Sequence, residues 1–405
     1  MEFTREWAEK RDAEDQLSGF REEFALPAGV IQLNGNSLGP LPRAVPGALD
    51  QVVRREWGEH LIRGWFEDGW WDAPERVGDR VGRLVGAAPG QTVVGESTSV
   101  QLFNALTAAA RLRPERTVLV SDAGNFPTDR YLAVSVARML GLRLVQTPVA
   151  ALPKVLERHR GEVGAVLAGA VDFRTGELWD VAALTARVRD AGAVTVWDLS
   201  HAAGAVPLHL DEAGVDLAVG CGYKYLCGGP GAPAFLYAAA RHHEALDLPV
   251  TGWHGHARPF EMADTFVPAP GIARARTGTP HLLSLLALEA ALTPLEAAGV
   301  AAVREKSLRL GDYLMSLVDG AGTTTRTRER TGAWPEVVTP RAPARRGNQV
   351  TLRHPRAPRL SAELMARGVV TDARPPDLIR LCLNGLYVSY TDVFDAVTHL
   401  REVTR

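Results

Sequence analysis

Short apolar runs rich in Val, Leu and Ala recur along this chain, separated by longer amphipathic stretches. No other feature of the sequence constrains the fold as tightly. The runs cover residues 117–121, 142–145, 165–168, 193–197, 216–220 and 234–237. Mostly apolar and only four or five residues long, they fit strands buried on both faces. Helical patterns lie between several of them, one opened by Pro127 at a first helical position and another by Asp180 as N-cap. Strands alternating with helices predict an α/β fold with a mostly parallel sheet covered on both sides.

The chain has 405 residues, enough for two or three packed units. Hydrophobic residues make up 46% and charged residues 23%, so a core can form without metal or disulfide support. Lys and Arg total 45 against 47 Asp and Glu, a formal charge of −2. That balance lacks the basic footprint of a nucleic-acid or anionic-membrane binder, and points to a small-molecule ligand. Cys221, Cys227 and Cys382 form no C-x-x-C pair and leave an odd thiol, against a disulfide framework or a structural zinc site. No metal is expected. The charged N-terminus has no apolar leader, and no apolar run is long enough for a membrane span. A cytoplasmic location is the expectation. After about residue 290 the text turns helix-rich, then Arg/Thr/Pro-rich over 323–346, then strand-like at 348–352. A smaller second domain is expected there, with the basic stretch as a solvated loop.

One lysine, Lys224, sits between the runs 216–220 and 234–237 in a loop dense with glycine. A surface charge is the simpler reading of such a lysine. The flanking glycines, however, permit the close approach of another molecule that an amine held in a pocket requires. Upstream, Asp198 closes the run 193–197, where open α/β sheets place ligands. It could equally cap a helix. Together the two match what pyridoxal phosphate needs: an amine to hold the aldehyde and an anion to keep the pyridine nitrogen protonated. Ser97, Thr98 and Ser99 open an amphipathic helix and offer donors for a phosphate, with plain N-capping as the alternative. Phe126, after the run 117–121, offers an aromatic face or is simply core.

Several segments now carry a resemblance: LNGNSLGPLP around Asn36 and Ser37, STSVQLF with Thr98 and Ser99, WDLSHAAGAVPLHL with Asp198 and His201, VGCGYKYLCGGPGAPAFLY with Tyr223 and Lys224, GWHGH with Trp253 and His254, and the RTGTP run with Thr279. In this order and spacing, from about residue 33 to the C-terminus, the chain resembles the kynureninase family. The resemblance implies a fold-type-I pyridoxal-phosphate-dependent transferase fold: a large domain with a mainly parallel seven-stranded sheet, and a smaller α+β C-terminal domain. It places residues 1–46 as an N-terminal segment packing with the small domain, 47–289 as the large domain and 290–405 as the small one. It implies a homodimer with active sites at the subunit interface, hydrolysing L-kynurenine or 3-hydroxykynurenine to an anthranilate and L-alanine. By the same resemblance Lys224 is the Schiff-base lysine, Asp198 the partner of the pyridine nitrogen, Thr98 and Ser99 the phosphate-binding pair, and Phe126 the stacking ring. Asp129, His201, Tyr223 and Trp253 match further cofactor contacts, and Thr279 a phosphate contact made across the dimer. Arg380 matches the arginine that holds the substrate carboxylate, a task suited to a two-pronged guanidinium. An exposed edge residue is the alternative, and Arg374 is a nearby competitor. Tyr223 is the candidate proton donor to the product, against a purely structural tyrosine. Asn36, Ser37, Trp65 and His254 complete the substrate side, Trp65 at a position resembling an aryl-pocket residue.

The departures from the family pattern gather near the substrate. His254 stands where the family usually has Phe, His281 replaces Pro, Cys227 replaces Asn, and Asn384-Gly385 replaces Thr-Pro. An imidazole there titrates near neutrality and could recognise a more polar substrate, or it could stack as Phe does. The alternatives are therefore a related C–C hydrolase acting on a substituted kynurenine or another γ-keto amino acid, and a non-catalytic pyridoxal-phosphate-binding protein. A cysteine desulfurase would share the fold, but Cys382 lies inside a strand-like run rather than on a mobile loop.

Overall fold

The computed structural model describes residues 3–322 and 334–404. The N-terminal segment carries a two-residue strand, β1 (Ile31–Gln32), and a further short strand follows, β2 (Thr92–Val94). The six apolar runs are strands: β3 (Val118–Asp122), β4 (Arg143–Thr147), β5 (Val163–Gly169), β6 (Val194–Asp198), β7 (Leu217–Cys221) and β8 (Ala234–Ala238). Among the described residues they form, with β2, a seven-stranded sheet in the order β2-β8-β7-β6-β5-β3-β4. The pairings from β7 through β4 are parallel, and β8 runs antiparallel to both its neighbours.

Helices cover both faces, as the burial of the central strands β5 to β8 requires. On one face the helix Ala73–Val85 turns Val77, Val81 and Val85 into a core shared with Trp197, Phe235 and Tyr237. A Cβ on Gly78 would come within 2.1 Å of the Thr92 carbonyl oxygen, so glycine sets how closely that helix lies on β2. On the other face the helix Thr98–Arg111 packs Leu102, Ala105, Leu106 and Ala109 against Leu119, Leu167, Val196 and Val219. The expected helix starts are in place: Pro127 opens the helix Pro127–Leu140, and the Asp180 side chain accepts from the Ala183 amide.

The C-terminal part combines the 23-residue helix Val300–Gly322 with short strands and two further helices, Ala357–Met365 and Tyr390–Val403. Its strands are β9 (Glu336–Val337), β10 (Gln349–Arg353), β11 (Val369–Val370), β12 (Asp372–Arg374) and β13 (Leu378–Cys382). Among the described residues, β12, β13, β10 and β9 make an antiparallel sheet in that order, while β11 pairs in parallel with β1. The helix Arg5–Ala13 lies on Tyr390–Val403, where Asp12 accepts the amides of Tyr390 and Thr391 at 2.6 and 3.0 Å.

The basic stretch matches the expected solvated loop over residues 341–345 and departs from it at Arg346. Residues 323–333 of it lie outside the described residues, and 341–345 are exposed, but Arg346 is 1% exposed. Its guanidinium enters the gap beside the long helix, pairs with Asp312 at 2.6 Å and donates to the Arg341 carbonyl. A buried cation is tolerated there because it is paired and hydrogen-bonded.

Candidate active site

A cavity of about 220 Å³ opens at the C-terminal ends of the parallel strands, where open α/β sheets hold their ligands. Asp122 ends β3, Gly169 ends β5 and Asp198 ends β6, and Lys224 follows β7 by three residues; all four line it. The chain has four lysines, Lys10, Lys154, Lys224 and Lys306. Lys10 and Lys154 are exposed, and Lys306 is buried against Asp15 at 2.6 Å. Lys224 alone of them faces the cavity, so the surface-charge reading fails.

The Lys224 Nζ lies 3.0 Å from His201 Nε2. Burial, followed by the charges of Lys224, Arg380 and Arg374, holds the His201 imidazole far below its ordinary pKa. It is therefore neutral, and Nε2 accepts from the Lys224 Nζ. That bond assigns the remaining proton to Nδ1, which is buried and finds no partner among the described residues. Asp198 does serve a local turn, its Oδ1 accepting from Ser200 N at 2.8 Å, but it also faces the cavity beside Asp129. Burial first, and Asp198 second, push the Asp129 carboxyl well above the usual carboxylate range. Tyr223 lines the cavity next to Lys224, and burial, Cys221 and Asp198 raise its phenol above the ordinary value.

The helix Thr98–Arg111 is capped by Ser97, whose hydroxyl accepts from Val100 N. Thr98 and Ser99 are therefore not the cap. They line the cavity from the first turn, with hydroxyls and free amides at a helix N-terminus. Phe126 is 37% exposed and lines the cavity rather than filling the core, its ring edge-on to Phe173 at 5.2 Å. Asn36 and Ser37 complete that wall. Asn36 is fixed by donating to Gln349 Oε1 at 2.9 Å.

Arg380 is fully buried on β13, a central strand of its sheet, so the exposed-edge alternative fails. It stands just behind the cavity wall, donating to Phe173 O at 2.7 Å, to Ser37 Oγ at 3.0 Å and to Asp372. Arg374 lines the cavity itself.

The donor set fits pyridoxal phosphate. An amine, two aspartates, a helix N-terminus with two hydroxyls and a bare aromatic face meet in one cavity. Around it His201 Nδ1, Asn125 Nδ2 and Asp129 Oδ2 are buried without partners among the described residues. Orphaned polar atoms of this kind are what a polar ligand satisfies.

Trp65, Trp253, His254 and Thr279 are not part of this cavity. The first three join a separate aromatic cluster, with Trp65 to Trp253 at 5.9 Å, Trp65 to His254 at 6.1 Å and Trp71 to His254 at 4.6 Å. Thr279 is exposed on a loop. The expectation that His254 titrates near neutrality is corrected. Burial and the neighbouring Arg276 lower it to about 4, against an opposing bond to the Trp71 carbonyl, so it is neutral at pH 7. It is stacked on Trp253 at 27° and lies 3.0 Å from Arg276 Nη1. Cys227 is buried with φ +56, a left-handed backbone that asparagine accepts more readily than cysteine. His281 is exposed on a groove shared with Thr98 and Tyr223. Sequence reasoning missed Asp122, Asn125, Asp172 and Phe173. Asp122 carried the same signal as Asp198, an aspartate closing an apolar run, whereas the other three sit in loops without a pattern.

Residues 70–339 match the aminotransferase class-V family. Solved structures of the same architecture include a cysteine desulfurase from Thermococcus onnurineus, at TM-score 0.79 and 17% identity over 95% of this chain and 97% of that one. Another is a C-DES mutant with glycine covalently linked to its PLP cofactor, at TM-score 0.79 and 16% identity over 94% and 98%. Fold and site together thus define a fold-type-I pyridoxal-phosphate enzyme. Residues 303–400 match the kynureninase C-terminal domain. A kynureninase of Deinococcus radiodurans is 47% identical over 97% of this chain and 94% of its own length. One of Burkholderia pseudomallei is 43% identical over 99% and 95%. The chain belongs to the kynureninase family.

Proposed function

We propose that the protein hydrolyses L-kynurenine or 3-hydroxykynurenine to an anthranilate and L-alanine, with pyridoxal phosphate as cofactor. The observation that carries the reading is the Lys224 amine set against a neutral His201 in the same cavity as the Asp129–Asp198 pair. Thr98 and Ser99 are assigned to the phosphate, Phe126 to the ring face, and Asp198, backed by Asp129, to the ring nitrogen. When bound, the cofactor supplies an electron sink for the bonds around the substrate's α- and β-carbons. Lys224 Nζ is positioned as base for the α-proton, its field and hydrogen bond set by His201. Arg380, with Arg374 on the cavity wall in front of it, is assigned to the substrate carboxylate, which fixes the orientation of the amino acid. Water adds to the γ-carbonyl carbon and the Cβ–Cγ bond breaks. The hydroxyl ends on the acyl carbon as the anthranilate carboxylate, and the β-carbon takes a proton to become the alanine methyl group. Tyr223 Oη, whose raised pKa keeps it protonated at neutral pH, is assigned that proton.

The second copy of the chain is part of this proposal. Trp253 and Thr279 stand away from their own cavity, yet both are exposed, beside a surface carrying exposed Ile62, Phe66, Phe260 and Met262. A homodimer that covers this surface and lends Thr279 to the partner cavity accounts for both facts. The division into residues 1–46, 47–289 and 290–405 is supported by the β1–β11 pairing and the seat of the helix Arg5–Ala13 on Tyr390–Val403. Three buried free thiols suit a reducing compartment such as the cytoplasm.

The test is to offer the cofactor-loaded protein each substrate separately and follow the anthranilate and the alanine. Equimolar release of the two products from at least one substrate is expected. Protein that binds pyridoxal phosphate yet releases neither product overturns the substrate assignment.

A further inference from the structure

Asp372, which neither the catalytic assignments nor the sequence motifs include, lies at the centre of the guanidinium cluster behind the cavity. Its place follows from strand geometry. In the antiparallel pair β12–β13, Asp372 stands directly opposite Arg380. Arg374, two residues on, shares the Asp372 face because side chains alternate along a strand. Three donors then converge on one oxygen. Asp372 Oδ2 accepts from Ser37 Oγ at 2.7 Å, from Arg374 Nη2 at 2.8 Å and from Arg380 Nη2. Two of these donors, Ser37 and Arg374, line the cavity.

The charge count is informative. Two guanidinium groups and one carboxylate leave a single positive charge, matched to one further carboxylate. The cluster is also tied to the cavity wall, since Arg380 Nη1 donates to Phe173 O and Phe173 packs edge-on to Phe126. Burial raises the Asp372 carboxyl, but Arg380, the Ser37 hydroxyl and Arg374 outweigh it and hold the group below its ordinary value. It stays ionised throughout the neutral range.

We propose that Asp372 is a positioning residue that, with Ser37 locked beside it, aims Arg374 and Arg380 at the carboxylate of the bound amino acid. The proposal rests on the reading of Arg380 and Arg374 as the carboxylate site. By holding one N–H of each guanidinium and the hydroxyl proton of Ser37, the Asp372 oxygen fixes three side chains in one orientation. Charge-assisted pairing to a carboxylate depends on such geometry as much as on net charge. A counter-ion with no positioning role has the opposite consequence: its removal makes the site more positive and binds a carboxylate more tightly.

The test measures binding to the cofactor-loaded protein by isothermal titration. It compares 4-oxo-4-phenylbutanoate, which carries the aryl ketone and the carboxylate but no amine, with neutral butyrophenone. Wild-type protein is expected to favour the carboxylate. In Asp372→Asn that preference is expected to fall about tenfold, on the scale of one charge-assisted hydrogen bond, with butyrophenone affinity unchanged. Asp372→Glu keeps the charge but displaces it, which keeps the question open to measurement if the Asn variant fails to fold. It is expected to lose most of the same preference and to raise KM for kynurenine more than it lowers kcat. Unchanged or tighter carboxylate binding in either folded variant overturns the proposal. If wild-type protein itself shows no preference, the carboxylate-site reading fails, and the role of Asp372 fails with it.

Discussion

His254 shows how one side chain changes meaning between sequence and structure. As a letter replacing Phe it suggested a titrating contact to substrate. In place it is 1% exposed, stacked on Trp253 and held beside Arg276, which in turn pairs with Glu75 at 3.1 Å. Its pKa of about 4 in the folded chain, against 6.5 for the free group, makes stability depend on pH. The unfolded chain takes up a proton near pH 6.5 that the folded chain refuses until about pH 4. The contribution is fully present above 6.5 and is lost as pH falls through that window, by about 3 kcal/mol. His254→Phe is therefore expected to flatten the pH dependence of the urea midpoint between pH 6.5 and 4. Equal slopes in both proteins would show that His254 is protonated alike in the folded and unfolded states. Cys382 is a second case: buried inside β13, its thiol is raised to about 11 by burial, unsuited to the exposed thiolate a desulfurase requires.

At the scale of elements, the alternation of apolar runs and helical patterns was enough to find β3 to β8 and the starts at Pro127 and Asp180, because a buried strand and a capped helix are each written locally. β2 was not legible. It is three residues long, and its place is set by β8 and by Gly78 beneath it rather than by any pattern of its own. The candidate site divides the same way. Asp198 and Lys224 could be read from strand ends, whereas Asp372 depends on a cross-strand register with Arg380 that no local spacing records. One contact joins the N-terminal segment to the catalytic loop: Gly39 N donates to Tyr223 O at 2.9 Å, and a Cβ on Gly39 would meet Lys224 O at 2.4 Å. Gly39→Ala is expected to cost about 1–3 kcal/mol and to lower kcat by displacing the Lys224 turn. Thermal unfolding together with turnover checks this, and an unshifted Tm with full activity would place the segment off the loop.

At the scale of the whole molecule, the unexplained feature of a single chain is its exposed apolar surface near the aromatic cluster, where Ile62 is 76% exposed and Met262 78%. A second copy covering it would bring Thr279 to a cavity other than its own. Phe66→Asp, on the same surface, is expected to shift sedimentation from dimer to monomer and to weaken pyridoxal-phosphate binding in parallel. Monomeric protein that binds the cofactor as tightly as the dimer would contradict the shared site. The central claim, that one lysine in one cavity holds the cofactor, has a direct test because the chain has four lysines to choose from. Cofactor-loaded protein is reduced with sodium borohydride, digested and analysed by peptide mass spectrometry. The account predicts the pyridoxyl group on Lys224 alone; its appearance on Lys10, Lys154 or Lys306 with Lys224 unmodified would contradict it.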